Sequence, residues 1–284
     1  MRARLILIAL GALLISAGLH AQDAGFTINL EEDWKNARVI LSVSRVLDPT
    51  IPSLQRAQAD AEAAIDAAFT GLLLQSLSPL VVDSSRTVGS LAGADPDFFS
   101  WIQGLARAER KETFYLSADF KKAIAGYSFP LFTDKGIASP LFPVQESVLG
   151  RRLGFVPTRE FSGLLIYAMD PLPAVGGAEE ARAAPALFPR LFDEEMNVVF
   201  EKGMCAPAAL GKWGMVGYED SPDESAILKR CGTNPLAVVA RAVFGRNRTD
   251  LVIPTKAVRQ ILALEENRKL LRDGKVLIIY PSLK

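Results

Sequence analysis

The spacing of apolar positions changes several times along this chain, and each change predicts an element. From Ala37 to Val46 (ARVILSVSRV) branched residues partly alternate with polar ones, which predicts a strand, and the Asp48-Pro49 and Ile51-Pro52 pairs end it. Ser53 is placed to cap a long helix. In that helix Leu54, Ala57, Ala61, Ile65, Ala68 and Leu72 recur at helical spacing, while Gln55, Glu62 and Asp66 hold another side; Pro79 stops it. Leu80 to Asp83 reads as a short strand, and Asp95-Pro96 opens a second helix with Phe98, Phe99, Trp101, Ile102 and Leu105 on its apolar face. Glu112 to Leu116 and Phe120 to Phe132 read as strands, the latter interrupted near its end by Pro130.

Residues 134–157 carry Pro140, Pro143, Gly150, Gly154 and Pro157 with weak periodicity, so they are expected to join two domains. Beyond them Phe161 to Met169 is continuously apolar, the pattern of a strand buried on both faces. A loop over Pro171–Pro185 should follow. Next comes a hairpin signal, Pro189–Phe192 and Val198–Phe200 around the polar tip Asp193–Asn197. Trp213–Tyr218 and Leu236–Phe244 read as further strands, with a small helix opened by Ser221-Pro222 and closed by Arg230 and Gly232 between them. Thr255 can cap a helix that runs to Leu262 and resumes to Leu271 until Gly274, and Val276–Tyr280 is a final buried, central strand. The expected fold is α+β: two small mixed domains, residues 22–133 and 158–284, each a sheet with helices packed on it.

The N-terminus alters this picture. Arg2 and Arg4 precede an apolar run from Leu5 to Ala17, and Ala-Gly-Leu-His-Ala ends at Ala21, the order of parts in a cleavable signal peptide over residues 1–21. The run is 13 residues, short of the roughly 20 needed to span a bilayer, and no later segment is long enough either. The mature chain is therefore expected to be periplasmic and to have no transmembrane segment. Residue 20 is the chain's one histidine, so cleavage after Ala21 would leave no imidazole. Loss of Arg2 and Arg4 leaves 30 basic against 32 acidic residues. Neither sign forms a long block, which argues against a nucleic-acid partner.

Cys205 and Cys231 could pair in an oxidising compartment, closing a 26-residue loop worth about 3.5 kcal/mol; two buried thiols are the other reading. Too few ligands remain for a structural zinc. The absence of a cysteine at the signal exit argues against a lipid-modified N-terminus.

Without histidine, Ser-His-Asp, Cys-His and His-metal mechanisms are excluded together, and no Ser-x-x-Lys spacing follows the signal. The Gly211-Lys-Trp-Gly214-Met-Val-Gly217 run has glycines in the wrong order for a phosphate loop and opens no helix, so it reads as a strand whose glycines allow close backbone approach. Asp193, Glu194 and Glu195 point in different directions from a solvated tip, which suits a turn better than acid/base work on a sugar. Asn247-Arg248-Thr249 matches a glycosylation sequon, and Arg241, Arg246 and Arg248 make a modest basic stretch read as a solvated strand end. No catalytic, cofactor or metal residue is assigned.

The second half nevertheless has a pattern of its own: Ser162-Gly163-Leu164-Leu165-Ile166, a spacer, Pro185-Ala186-Leu187-Phe188-Pro189-Arg190-Leu191-Phe192-Asp193, then Val198-Val199-Phe200. Downstream come Gly217-Tyr218, Asn234-Pro235-Leu236, Thr249-Asp250-Leu251-Val252-Ile253 and Asn267 to Leu271. In the first half an alanine-rich helix follows a strand, with Ser117-Ala118-Asp119 and Tyr127–Leu131 after it. Together these resemble bacterial exported proteins related to the flagellar assembly protein T and the twenty-kilodalton lipoprotein family. Tyr167 stands where that run tends to show Asp, Met169 where it tends to show Arg, and the lipobox cysteine is missing. The resemblance implies an exported, non-enzymatic structural or assembly component of the periplasm or flagellar apparatus, with protein partners in the envelope or the flagellar basal structure. The alternative is a periplasmic small-ligand binding protein with its cleft at the 134–157 join. A third reading, a hydrolase using carboxylates alone, requires two acidic side chains converging in a pocket.

Overall fold

A computed structural model describes residues 25–108, 111–145, 147–150 and 156–281. The signal-like segment 1–21 and its cleavage site lie outside the described residues.

The first unit is an antiparallel four-stranded sheet covered by helices. Its strands are β1 (Phe26–Asp33), β2 (Arg38–Val46), β3 (Thr113–Leu116) and β4 (Lys122–Pro130), in the order β1-β2-β4-β3, and between β2 and β3 run α1 (Leu54–Leu77), α2 (Val88–Ala94) and α3 (Pro96–Ala108). β2 alternates as its sequence predicts, with Val39, Leu41 and Val43 fully buried under α1. Ser53 caps α1 by accepting from the Arg56 N–H, and the stripe that meets the sheet is Ala57, Ala61, Ile65, Phe69, Leu72, Leu73 and Leu77. Leu54 is exposed, and Phe69, four residues after Ile65, supplies the large ring that stacks on Tyr127 at 4.0 Å between centroids. Asp95 caps α3 as expected, its Oδ1 accepting from the N–H groups of Asp97 and Phe98.

The second unit holds two four-stranded sheets and a small ribbon. Its elements are β5 (Leu164–Tyr167), β6 (Leu172–Pro173), β7 (Glu180–Ala181), β8 (Leu191–Phe192), β9 (Val198–Phe200), α4 (Pro207–Trp213), β10 (Gly217–Glu219), α5 (Glu224–Cys231), β11 (Leu236–Val239), β12 (Ala242–Phe244), β13 (Asp250–Val252), α6 (Thr255–Ala263), α7 (Glu265–Arg272) and β14 (Val276–Ile279). The order β10-β14-β5-β11 is wholly parallel, which explains why β5 and β14 read as unbroken apolar runs: helices and loops cover both faces. The other sheet, β12-β13-β8-β9, contains the expected β8–β9 hairpin, and β6 and β7 form the ribbon inside what reads as a loop. The fold is thus α+β with two domains, as the sequence implies.

Several elements differ from that reading. β1 and α2 are additional; α2 carries a capping box in which Thr87 and Ser90 bond reciprocally. Leu80–Asp83 makes only one bridge, Val81 to Thr87, and is apolar because it is laced to the second unit instead: Leu187 N–H donates to Val81 O and Phe188 N–H to Val82 O. Trp213–Tyr218 is strand only at Gly217 and Tyr218, because Trp213 is the last residue of the helix α4 that Pro207 starts. Leu236–Phe244 breaks at Ala240-Arg241 and sends β11 and β12 to different sheets. Asp223, rather than Ser221, caps α5. The join also begins later than residue 134, since Ile137 and Ala138 are fully buried and bond back to Pro130 and Leu131.

The two units share one continuous buried cluster that contains Trp34, Val82 and Phe132 of the first and Phe188, Met215 and Tyr218 of the second. Polar bonds also cross the boundary: Asn247 donates from its side chain to Asp83 O at 2.8 Å, and Arg190 donates to Ser84 Oγ at 3.0 Å. Among the described residues no helix is long and apolar enough to cross a membrane.

Candidate functional site

A cavity of about 350 Å³ opens along the boundary between the units, within the range that holds a small molecule. The turn between β1 and β2 gives it Trp34 and Lys35; the end of α4, the start of β10 and the end of α5 give it Trp213, Gly217 and Arg230. Trp34 is fixed from both ends, its indole N–H donating to Glu32 Oε2 at 2.8 Å and its ring meeting Tyr218 edge-on at 5.5 Å. Burial raises the Glu32 pKa, and the Trp34 hydrogen bond offsets part of that. Lys35 reaches across to Glu219, Nζ to Oε2 at 3.0 Å, with the carboxylate side chain 6% exposed.

Arg230 is the unusual member. It is 8% exposed, its two Nη atoms donate to Trp213 O at 2.8 Å and Gly214 O at 2.9 Å, and its guanidinium lies 4.5 Å from the centroid of the Trp213 ring. Its Nε has no hydrogen-bond partner, and no carboxylate lies within ion-pair distance of it among the described residues. Burial lowers its pKa to about 10, which leaves it protonated at neutral pH. The adjoining Cys231 thiol is pushed up to about 11 by burial, so it stays neutral and supplies no counter-charge. Gly217 adjoins this side chain: a Cβ there would stand in van der Waals contact, 3.5 Å from both Arg230 Cδ and Nε.

The glycine run is not the strand it reads as, since Gly211 lies in α4 and only Gly217 enters β10; the close approach it suggests is found at Gly214, at φ +77 and with room for no Cβ against the Phe132 ring. Cys205 and Cys231 are not joined. Cys205 Sγ donates to Arg272 O and Cys231 Sγ to Leu164 O, each at 3.4 Å and both buried, so the expectation of a disulfide gives way to two thiols held at separate backbone carbonyls.

The acidic tip divides rather than converges. Asp193 is buried, against the solvated tip expected, and its Oδ1 accepts from the N–H groups of Glu195 and Asn197. Glu194 Oε2 accepts from Thr255 N–H at 2.8 Å, while Thr255 Oγ1 accepts from Glu194 N–H, so the cap of α6 comes from the hairpin. The sequon Asn247 bolts the two units together, and Arg241, the nearest of the basic stretch, stands 3.8 Å from Glu194.

The remaining motif residues act as locks. Asp250, fully buried, accepts from Arg190 Nε at 3.0 Å and from its backbone N–H. Asn267, also fully buried, accepts from Phe161 N–H and donates to Arg159 O and Gln260 O. Tyr218 donates its hydroxyl to Ala186 O and accepts from Ala186 N–H. A Cβ on Gly163 would stand 2.5 Å from Cys231 Cα, so only glycine lets α5 lie against β5.

The sequence alone did not bring Trp34, Lys35, Trp213 and Arg230 together, because nearly 200 residues separate the first from the last. Arg230 had a local meaning, a cation closing a helix, that concealed its burial.

No curated protein matches the chain. Two family models do, under a name different from that of the family resembled in the sequence: residues 26–136 match the N-terminal domain of Treponema pallidum Tp0624, and residues 163–282 match its second domain, so over most of its length the chain is similar to those two domains in that order.

Proposed function

We propose that this chain is an exported, non-enzymatic component of the bacterial cell envelope, a rigid two-domain body that serves structure or assembly, in the flagellar apparatus in particular. The observation that carries the proposal is the boundary between the units: a shared apolar core, backbone bonds from Leu187 and Phe188 to Val81 and Val82, and the Arg190–Ser84 and Asn247–Asp83 bonds. A hinge that opened to admit ligand would have to expose that core and break those bonds together. A spacer or docking body needs the two halves held in one orientation. The signal-like residues 1–21, the sole histidine inside them, and the resemblance to exported flagellar proteins support the same reading.

The test is a deletion strain together with cross-linking in intact cells. Impaired motility or envelope integrity, and a cross-linked partner in the envelope fraction, are expected. Normal motility and integrity with no cross-linked partner would overturn the proposal. Small-ligand binding, the second reading, is favoured by one observation, the cavity that opens along the boundary between the units.

A further inference from the structure

We infer that a second cavity on the boundary between the units, about 270 Å³ in volume, binds a small zwitterion of the amino-acid class, its carboxylate received by Arg86 and Lys202 and its ammonium by Glu201. The inference stands apart from the envelope reading, and its failure would leave that reading as it is.

Each unit supplies one wall. The first gives the turn at residues 83–86, and the second gives Phe188, Arg190, Glu201 and Lys202. The turn is held firmly: Asp83 Oδ1 accepts from the N–H groups of Ser85 and Arg86, Val82 N–H donates to Arg86 O, and from the second unit Asn247 N–H donates to Ser84 O at 3.0 Å. Arg190 adds its own bond to Ser84 Oγ. The arginine side chains are 47% exposed at Arg86 and 37% at Arg190, so a solute can reach their free edges.

The hydrogen-bonding capacity left over decides the ligand. Arg86 commits Nε and Nη2 to Asp83, and Arg190 commits the same pair to Asp250 and Ser84, so each keeps the two N–H groups of Nη1. Lys202 gives one of its three N–H groups to Leu141 O at 3.0 Å and lies over the Phe188 ring, 5.2 Å from the centroid. No carboxylate stands within ion-pair distance of its ammonium among the described residues. Burial, and after it the neighbouring Arg86 charge, lowers the Lys202 pKa, a penalty that an arriving carboxylate would relieve. Glu201 is the counterpart, a half-buried carboxylate on the same cavity that no hydrogen bond or ion pair engages among the described residues. An anion alone would meet the free donors but face Glu201; a cation alone would meet Glu201 but face three positive side chains. A molecule with both charges a few bonds apart satisfies both. The volume lies just under the range of pockets for drug-sized ligands, which suits a solute of few heavy atoms.

The experiment is thermal unfolding of the purified chain with each of the standard amino acids, followed by isothermal titration of those that raise Tm. Titrations with the matching amine, the matching carboxylic acid and inorganic phosphate run beside them. At least one amino acid should bind at one per chain, and more tightly than any of these three. Glu201→Gln keeps the shape, loses no bond within the chain and should leave the Tm of the free protein in place while weakening the amino acid by about tenfold to hundredfold, the worth of one charge-assisted hydrogen bond. Lys202→Met should weaken it by about tenfold or more. The inference fails if no amino acid binds, if the amine, the acid or phosphate binds as tightly as the amino acid, or if Glu201→Gln leaves the affinity unchanged.

Discussion

Asn267 gives the sharpest test of how the second unit is held together. Its amide ties the segment entering β5 to the helical pair α6–α7: Oδ1 accepts from Phe161 N–H at 2.9 Å, and Nδ2 donates to Arg159 O at 2.9 Å and Gln260 O at 3.3 Å. Asn267→Ala removes all of these. The single Thr158 hydroxyl proton, 3.0 Å from Gln260 O and 3.3 Å from Arg159 O between the heavy atoms, can serve one of these carbonyls, so the groups stranded are Phe161 N–H and the other carbonyl. At about 1–1.5 kcal/mol for each, the expected loss of stability is roughly 2–3 kcal/mol.

Asn267→Asp separates hydrogen bonding from packing, because it keeps the shape and reverses the chemistry of one atom. Phe161 N–H still has its acceptor. The second carboxylate oxygen now faces Arg159 O and Gln260 O, where only a donor fits, and it does so at a site fully removed from solvent. Ionised, this variant should lose more than the alanine, about 3–5 kcal/mol. Burial and the two carbonyls both favour the protonated acid, so the aspartate pKa is raised in the folded state above its unfolded value near 3.9. The penalty is therefore complete above the folded pKa and shrinks as pH falls through it, where the protonated acid can donate to one of the carbonyls. Urea denaturation of wild type and both variants at pH 7.5 and pH 5 reads this directly as differences from wild type at each pH. A loss under about 0.5 kcal/mol for the alanine, or an aspartate penalty that does not change with pH, would refute the argument.

Other consequences are testable as simply. Glu194→Ala should cost about 1 kcal/mol in urea denaturation by uncapping α6, and Glu194→Gln, which keeps an acceptor for Thr255 N–H, less than half of that; equal losses would point away from the cap. Gly163→Ala places a Cβ 2.5 Å from backbone of Cys231 that cannot yield, so Tm should fall by at least about 6 °C, and an unchanged Tm would contradict the close approach of α5 to β5. Iodoacetamide should label Cys205 and Cys231 only after unfolding and without a reductant; a chain that requires reduction first would carry the disulfide after all. Because the core is shared across the boundary, calorimetry should show one thermal transition, and two separated transitions would show that the units unfold independently.

What the sequence made legible, and what it did not, follows from how far each residue's meaning reaches along the chain. β5 and β14 could be read because burial on both faces leaves an unbroken run of apolar residues, and α1 because Ala57, Ala61 and Ile65 repeat its period. β1 escaped because Phe26, Ile28 and Leu30 are only half-buried and Glu31-Glu32-Asp33 ends their alternation; α4, at seven residues, is too short to show a period. Leu80, Val82, Leu187 and Phe188 are apolar and buried, but an apolar residue does not name its partner, and here the partner is the other unit.

The same limit explains the two kinds of motif residue. Gly163, Arg190, Tyr218, Asp250 and Asn267, the residues behind the family resemblance, all have neighbours that would lose a bond or collide if the side chain changed. They hold the fold. Arg230 belongs to no such motif, and like Tyr127 of the first unit it keeps a buried donor without an acceptor. A buried cation left with an unused donor lowers stability, and the carbonyls of Trp213 and Gly214 together with the Trp213 ring offset part of that cost.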